Sequence, residues 1–148
     1  MKSIHKSFQG YRLQIDNHLS QFELEHNRVL KIYGGITKNE LVERYKEHVR
    51  DNKPEGFNNT WDIYLNKQLI TIKVDTSKYT LEEYRELISL IEQYLINKLD
   101  ELFGIKCVND RNEDGTIAQR GGAGLHDLED GDDYKLYIFY KYNKLVFV

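Results

Sequence analysis

Residues 80–104, TLEEYRELISLIEQYLINKLDELFG, decide the fold class. Thr80-Leu-Glu-Glu83 has the form of a capping box, in which a threonine hydroxyl and a glutamate three residues on satisfy the amides that a helix start leaves unbonded. Leu81, Tyr84, Leu87, Ile88, Ile91, Tyr94, Leu95, Leu99 and Leu102 then keep helical spacing up to Gly104. At about 1.5 Å per residue such a helix reaches roughly 35 Å, enough to cross a whole sheet. What surrounds it reads as strands.

Upstream, Tyr11, Leu13 and Ile15 alternate, then Phe22 and Leu24, then Val29, Leu30, Ile32 and Tyr33. Period two predicts strands. Turn residues Asp16-Asn-His18 and His26-Asn27 separate these runs, and Gly34-Gly35 closes the third, which predicts a three-stranded antiparallel meander. The run from Asp16 to Leu30 also admits a helical reading. Thr37-Lys-Asn-Glu40 predicts a second capping box and a helix to about Arg50, with Leu41, Val42, Tyr45 and Val49 as its apolar stripe and Pro54-Glu-Gly56 ending the segment. Trp61 to Leu65 and Gln68 to Val74 predict a hairpin around Asn66-Lys67, its second strand central in the sheet.

Downstream, Ile105 to Val108 is a short strand at most, and residues 109–133 are Gly, Asp and Asn rich, which predicts a long loop. Tyr134 to Tyr142, a turn at Asn143-Lys144 and Leu145 to Val148 predict a closing hairpin. No internal repeat and no second composition regime divides the chain. The expectation is one α+β domain over residues 1–148, in the order β-β-β-α-β-β-α-β-β, because two helices supply too few crossovers for a doubly wound parallel sheet.

Composition narrows the class. The 148 residues, 40% hydrophobic and 30% charged with one proline, eleven Tyr and six Phe, exclude a disordered chain. No apolar run approaches the roughly 18 residues that span a bilayer, and MKSIHKSFQG has no apolar leader core, so a soluble, unprocessed protein is expected. The single cysteine, Cys107, excludes an internal disulfide and a multi-cysteine zinc site, and in Ile-Lys-Cys-Val it reads as a small buried hydrophobe. A reducing interior follows, and with it a cytoplasmic location.

Net charge is −3, but unevenly spread. Residues 1–53 carry ten basic against seven acidic side chains. His126-Asp-Leu-Glu-Asp-Gly-Asp-Asp133 carries five carboxylates with no Lys or Arg, and without it the chain would be +2. Charges this close repel, so the tract is expected to stay solvated outside regular elements unless a cation or a basic partner neutralises it. Direct nucleic-acid binding through a globally basic surface is excluded.

Asp110-Arg-Asn112-Glu-Asp114-Gly115-Thr-Ile117 matches the first half of a calcium loop, in which alternate oxygen side chains converge on a hard cation. The match stops there, since position 121 of the expected bidentate glutamate is glycine. A plain Asp-Gly turn is the other reading. Arg120-Gly-Gly-Ala-Gly124 lacks the Lys-Ser/Thr of a phosphate loop. None of the five histidines pairs at metal-binding helical spacing, and His126 beside Asp127 reads as a solvated pair rather than an acid/base couple. No catalytic motif is present, so no catalytic residue is assigned. Among the aromatics of the last predicted strand, Tyr134, Tyr137, Phe139, Tyr140 and Tyr142 occupy both faces; one face is expected in the core, and the other to offer tyrosines beside the carboxylates to a basic partner.

With eleven Asn, abundant Lys, Ile and Tyr, no catalytic motif and the segment Leu128-Glu-Asp-Gly-Asp-Asp133, the chain resembles small phage and mobile-element anti-CRISPR proteins that inhibit Cas9. That resemblance implies a non-enzymatic inhibitor in the cytoplasm of a bacterial host cell, occupying a basic nucleic-acid groove or clamping a nuclease domain by steric and electrostatic occlusion, without itself binding nucleic acid or membrane. The physical version stands apart from it: Asp127, Glu129, Asp130, Asp132 and Asp133, with Tyr134 and Tyr137, would meet Lys and Arg that otherwise hold phosphates. No cofactor is expected. The competing reading is a divalent-metal (Ca2+) or small-molecule domain in which Asp110, Asn112 and Asp114 act with the later carboxylates.

Overall fold

The helix from Thr80 forms as read. In the computed structural model, which describes residues 2–64, 70–119, 125 and 127–142, it spans Leu81–Phe103, the third of three α-helices. Thr80 Oγ1 accepts the Glu83 amide at 3.1 Å, and Glu83 Oε1 accepts the Thr80 amide at 3.0 Å. Leu87, Ile88, Ile91, Leu95 and Leu99 are buried along one stripe, each worth about 1.5–3 kcal/mol of transfer free energy. The full order is α1 (Lys2–Glu25), β1 (Val29–Thr37), α2 (Leu41–Asp51), β2 (Asp62–Tyr64), β3 (Thr71–Lys73), α3 (Leu81–Phe103), one 3-10 turn (Gly104–Lys106) and β4 (Asp133–Tyr142). The class is α+β, with an antiparallel four-stranded sheet and, among the described residues, three α-helices rather than two.

The largest correction lies at the start of the chain. The first two strands of the predicted meander are the 24-residue helix α1, whereas the third, at Val29 to Tyr33, forms within β1. Ile4, Ile15, Leu19 and Phe22 are buried, and Phe8 and Tyr11 pack beside them, at steps of three, four and seven that only a helix places on one face. Leu13 and Leu24, which sustained the period-two reading, are 66% and 77% exposed. Asp16, read as a turn residue, accepts the Tyr94 hydroxyl of α3 at 2.6 Å, and Arg12 stacks over Phe8 and Tyr94, so α1 is fastened along α3.

β4 is the central strand. β1 pairs along one side of it, Ile32 opposite Tyr140 and Thr37 opposite Lys135. β2 and β3 pair end to end along the other, Ile63 opposite Phe139 and Ile72 opposite Tyr134. Both run antiparallel to β4, so they share a direction and cannot be the two arms of one hairpin. The predicted turn at Asn66-Lys67 lies outside the described residues, as do Leu145 to Val148 of the closing hairpin. Within the predicted strand Gln68 to Val74, β3 is correspondingly not central; the near-continuous apolar run of β4 is. One face of β4 (Tyr134, Leu136, Ile138) packs with α1 and α3, and the other (Tyr137, Phe139) packs with Leu41 of α2, Phe57 and Trp61.

Gly34 and Gly35 do not end β1 but sit inside it, because both faces are crowded. A Cβ at Gly34 would lie 2.6 Å from Leu99 Cδ1, and one at Gly35 would lie 2.3 Å from the Tyr137 hydroxyl oxygen. The Thr37 capping box also fails: Thr37 closes β1, its hydroxyl accepts the Asn39 amide at 3.0 Å, and Glu40 is the N-cap of α2 with no side-chain bond. Beyond α3, Cys107 bridges Ile32, buried as expected, with its thiol pKa pushed up by that burial. The Asn109 amide accepts the Gly34 N–H at 3.0 Å and donates to the Gly34 carbonyl at 2.8 Å, standing in for a neighbouring strand on the open edge of β1. Among the described residues of 109–133, Asn109, Leu125 and Leu128 are buried anchors. No helix among the described residues is long and apolar enough to cross a membrane.

Candidate functional site

The acidic tract folds into a turn clamped from two sides. Gly131 donates to the Val74 carbonyl at 2.7 Å and the Val74 amide donates to Asp132 O at 2.8 Å, extending the β3–β4 pairing into the turn. Asp132 Oδ2 accepts the Glu129 amide at 2.8 Å. Asp130 Oδ1 accepts both the amide and the hydroxyl of Thr76, at 2.8 and 2.9 Å. Buried Leu128 pins the middle. Asp133 is the first residue of β4, so the tract is not wholly outside regular structure as expected.

Nor is its charge uncompensated. Lys38, carried in from the β1–α2 connection, lies 3.1 Å from Asp127 Oδ2 and 3.6 Å from Asp132 Oδ2, and also donates to the Asp127 carbonyl at 3.2 Å. The hydrogen bond to Asp127 raises the Lys38 pKa. Both carboxylates and the ammonium are partly exposed, so this bridge adds little to stability. Asp127, Glu129, Asp130 and Asp133 are exposed, with Asp132 half-buried between them. The two tyrosines assigned to the partner surface are not on it: Tyr134 and Tyr137 are each 2% exposed, because β4 is covered on both faces.

Behind Lys38 a cleft of roughly 390 Å³ opens between the end of β1, α2, α3 and the acidic turn. Arg44 of α2, Glu92 of α3, Asp127, Tyr134 and Tyr137 line it together with Lys38. Glu92 is 4% exposed, an unusual place for a carboxyl group. Deeper in, Tyr137 belongs to a directed relay. His48 Nδ1 faces the Lys53 carbonyl at 2.5 Å, and a carbonyl only accepts, so Nδ1 carries the proton and Nε2 is an acceptor. The Tyr137 hydroxyl donates to that Nε2 at 3.1 Å and accepts from Arg44 Nε at 3.4 Å. Burial lowers the His48 pKa and raises that of Tyr137, which keeps both neutral. Arg44 is further held by Glu47 at 3.0 Å. Tyr134 differs: among the described residues its buried hydroxyl has no hydrogen-bond partner.

The calcium-loop residues are tied into their own turn. Asp114 Oδ1 accepts the Thr116 amide and hydroxyl at 3.0 and 2.6 Å, which lowers its pKa, and the Asn112 side chain donates to the Thr116 hydroxyl at 3.1 Å. Asp110 O accepts the Ala118 amide. These residues build a tight turn bridged at Arg111 and Ile117. Among the described residues no group of three or more His, Cys, Asp or Glu side chains is placed to hold a metal ion. Arg120 to Gly124 and His126 lie outside the described residues.

Sequence reasoning reached the acidic turn but missed Lys38, Arg44, His48 and Glu92. Glu92 carried a signal, since it stands within a helix next to apolar Ile91 on the buried side, and a carboxyl group there needs partners. Comparison with known proteins adds no assignment: no family model, no curated protein and no solved structure matches this chain.

Proposed function

We propose that this chain is a non-enzymatic inhibitor that docks its acidic turn on the basic groove of a nucleic-acid-handling protein in the cytoplasm, with a Cas9-type nuclease as the first candidate. The observation that supports it is the rigidity of the turn. Exposed Glu129, Asp130 and Asp133 leave a backbone already fixed by Val74, Thr76 and Asp132. A surface ordered before binding avoids the ordering cost that a flexible acidic loop would incur, and fixed carboxylates facing Lys and Arg give orientation and a fast, salt-sensitive encounter.

The test is target-DNA cleavage by a panel of Cas9 ribonucleoproteins, titrated with the protein before and after guide and DNA loading. Dose-dependent inhibition that weakens steeply with added salt is expected, and order of addition separates blocked DNA binding from blocked cutting. Glu129→Gln, Asp130→Asn and Asp133→Asn keep the turn's hydrogen-bond acceptors while removing charge, so the triple variant should lose inhibition and flatten its salt dependence. Full inhibition by the triple variant refutes the acidic-turn mechanism, and no inhibition across the panel refutes the nuclease assignment.

A further inference from the structure

We propose that α2 and the segment after it, residues 52–61, form an acid-sensitive flap on the second face of β4, held shut by neutral His48 and released when that imidazole takes up a proton. The flap has its own small core. Leu41, Phe57, Trp61, Tyr137 and Phe139 form it, apart from the main cluster that α1 and α3 cover on the other face. A smaller apolar contact is easier to open, so such a layer can part while the helices behind the sheet stay packed. Within this layer His48 is 4% exposed. Two side chains of α2 converge there on one sheet atom, the Tyr137 hydroxyl, which accepts from Arg44 Nε and donates to His48 Nε2.

The direction of that chain makes it sensitive to protons. Because the Lys53 carbonyl holds the existing proton on Nδ1, a second can enter only at Nε2, where the Tyr137 proton points. The Tyr137 oxygen would then face N–H groups of two cations, His48 and Arg44, and its own proton would lose its acceptor. The surroundings are aromatic: Tyr33 of β1, Tyr137 and Phe139 of β4, and Phe57 pack around the imidazole. Of the carboxylates that face it from α2, Glu47 is paired with Arg44 at 3.0 Å and Asp51 with Arg50 at 3.1 Å, while Glu92 of α3 acts on Tyr137. Burial is the largest influence on His48 and lowers its pKa; Arg44 adds to it, against the Lys53 carbonyl, Glu47 and Asp51. Water solvates an imidazolium better than this layer does, so the open flap binds the proton more tightly. If opening restores the ordinary value of about 6.5, the opening equilibrium shifts by up to about tenfold between pH 7.5 and 5.5. The inference uses no residue of the acidic turn and is independent of that reading.

The sole tryptophan, Trp61, reports on the flap, because its indole N–H is buried there. Native-state hydrogen exchange of the intact chain, followed by NMR at pH 7.5, 6.5 and 5.5 and corrected for intrinsic exchange, is the test. Protection of the Tyr45 and Val49 amides of α2 and of the Trp61 indole should fall together by about five- to tenfold across that range, while the Ile91 and Leu95 amides of α3 stay at least about tenfold better protected at every pH. His48→Gln should reduce the change to less than about twofold, and His5→Gln, at an exposed position of α1, should leave it as in the parent. The proposal is overturned if flap and α3 amides open with equal free energy, since the opening is then global, if flap protection does not depend on pH, or if His48→Gln keeps the full change. Should His48→Gln misfold, the parent's His48 ring resonances decide: a midpoint below about 6.5 that coincides with the loss of flap protection supports the proposal, and any other midpoint overturns it.

Discussion

Replacing Gly35 by alanine tests the packing that positions the whole site. The added Cβ would lie 2.3 Å from the Tyr137 hydroxyl oxygen, 2.5 Å from Cζ and 3.0 Å from Cε2, whereas carbon atoms pack at about 3.5–4.0 Å. The ring has to retreat by about 1 Å, and little room is available. Phe139 stacks against it with centroids 4.5 Å apart, and His48 and Arg44 hold its hydroxyl. Overpacking of this kind costs about 1–3 kcal/mol, and pulling the hydroxyl off the buried His48 nitrogen adds about 1–3 kcal/mol. Alanine's better backbone preference returns about 0.5–1 kcal/mol. The net expectation is a loss of about 3 kcal/mol and a fall in Tm of roughly 6–12 °C for a chain of this size.

Gly34→Ala is the internal comparison. There the clash, at 2.6 Å, is with Leu99 Cδ1, the far end of a side chain that can change rotamer, so a loss below about 2 kcal/mol is expected. Thermal and urea unfolding of both variants, and of Gly35→Ala combined with Tyr137→Leu, measure this directly. The double variant should be less destabilised than the sum of its singles by more than about 1 kcal/mol, because removing the ring removes the clash. If Gly35→Ala loses no more than about 0.5 kcal/mol, or the two changes are additive, Tyr137 is not pinned as described.

Asn109→Ala should lower stability by about 2–4 kcal/mol in urea unfolding, since both the N–H and the carbonyl of Gly34 lose their partner, and Asn109→Asp should not restore it because a carboxylate cannot donate. Thr80→Ala should cost about 1 kcal/mol by the same measurement, through loss of the α3 cap. His48 titrates below its ordinary value in the folded chain because burial disfavours its charge, so the unfolded chain takes up the proton first. Stability should therefore be level above about pH 6.5 and decline as pH falls through the folded value, and unfolding free energies at pH 7.5, 6.5 and 5.5 should show a decline that His48→Gln flattens. Tyr134→Phe should leave stability unchanged or raise it by up to about 1 kcal/mol in chemical unfolding, because it removes an unbonded buried hydroxyl.

The parts of this fold that were legible in the sequence are those whose signal is local. The α3 cap is a four-residue pattern, and its apolar stripe repeats over six turns. The end of α2 and the strand at Tyr134 to Tyr142 are local in the same sense. What was not legible depends on partners distant in sequence. Tyr11, Leu13 and Ile15 alternate as well as any strand, and only the docking of Ile15, Leu19 and Phe22 on α3 makes that stretch a helix with Leu13 turned outward. Gly34-Gly35 has the composition of a turn; its tightness instead serves Leu99 and Tyr137, 65 and 102 residues away. The Asp-rich tract was visible, but Lys38, which compensates part of it, is 89 residues upstream of Asp127. Tyr134 and Tyr137 read as surface residues because one face of their strand was expected to be open, and distant elements cover both faces of β4.

That last difference changes how the acidic tract has to be tested. Five carboxylates close in sequence invite neutralisation together, but the structure gives them different work. Asp132 ties down the Glu129 amide and, with Asp127, meets Lys38, whereas Asp130 ties down Thr76. Replacing all five by alanine would remove the side-chain bonds to Thr76, the Glu129 amide and Lys38, leaving only the backbone pairing with Val74, so lost binding would not distinguish a missing charge from a missing shape. Glu129 and Asp133 are different: among the described residues neither carboxylate makes a hydrogen bond or ion pair. Asp130→Asn keeps an oxygen for Thr76. If charge on this turn is what a partner meets, Glu129→Gln with Asp133→Asn should already reduce the salt dependence of binding at unchanged Tm, and Asp132→Asn should act mainly on stability.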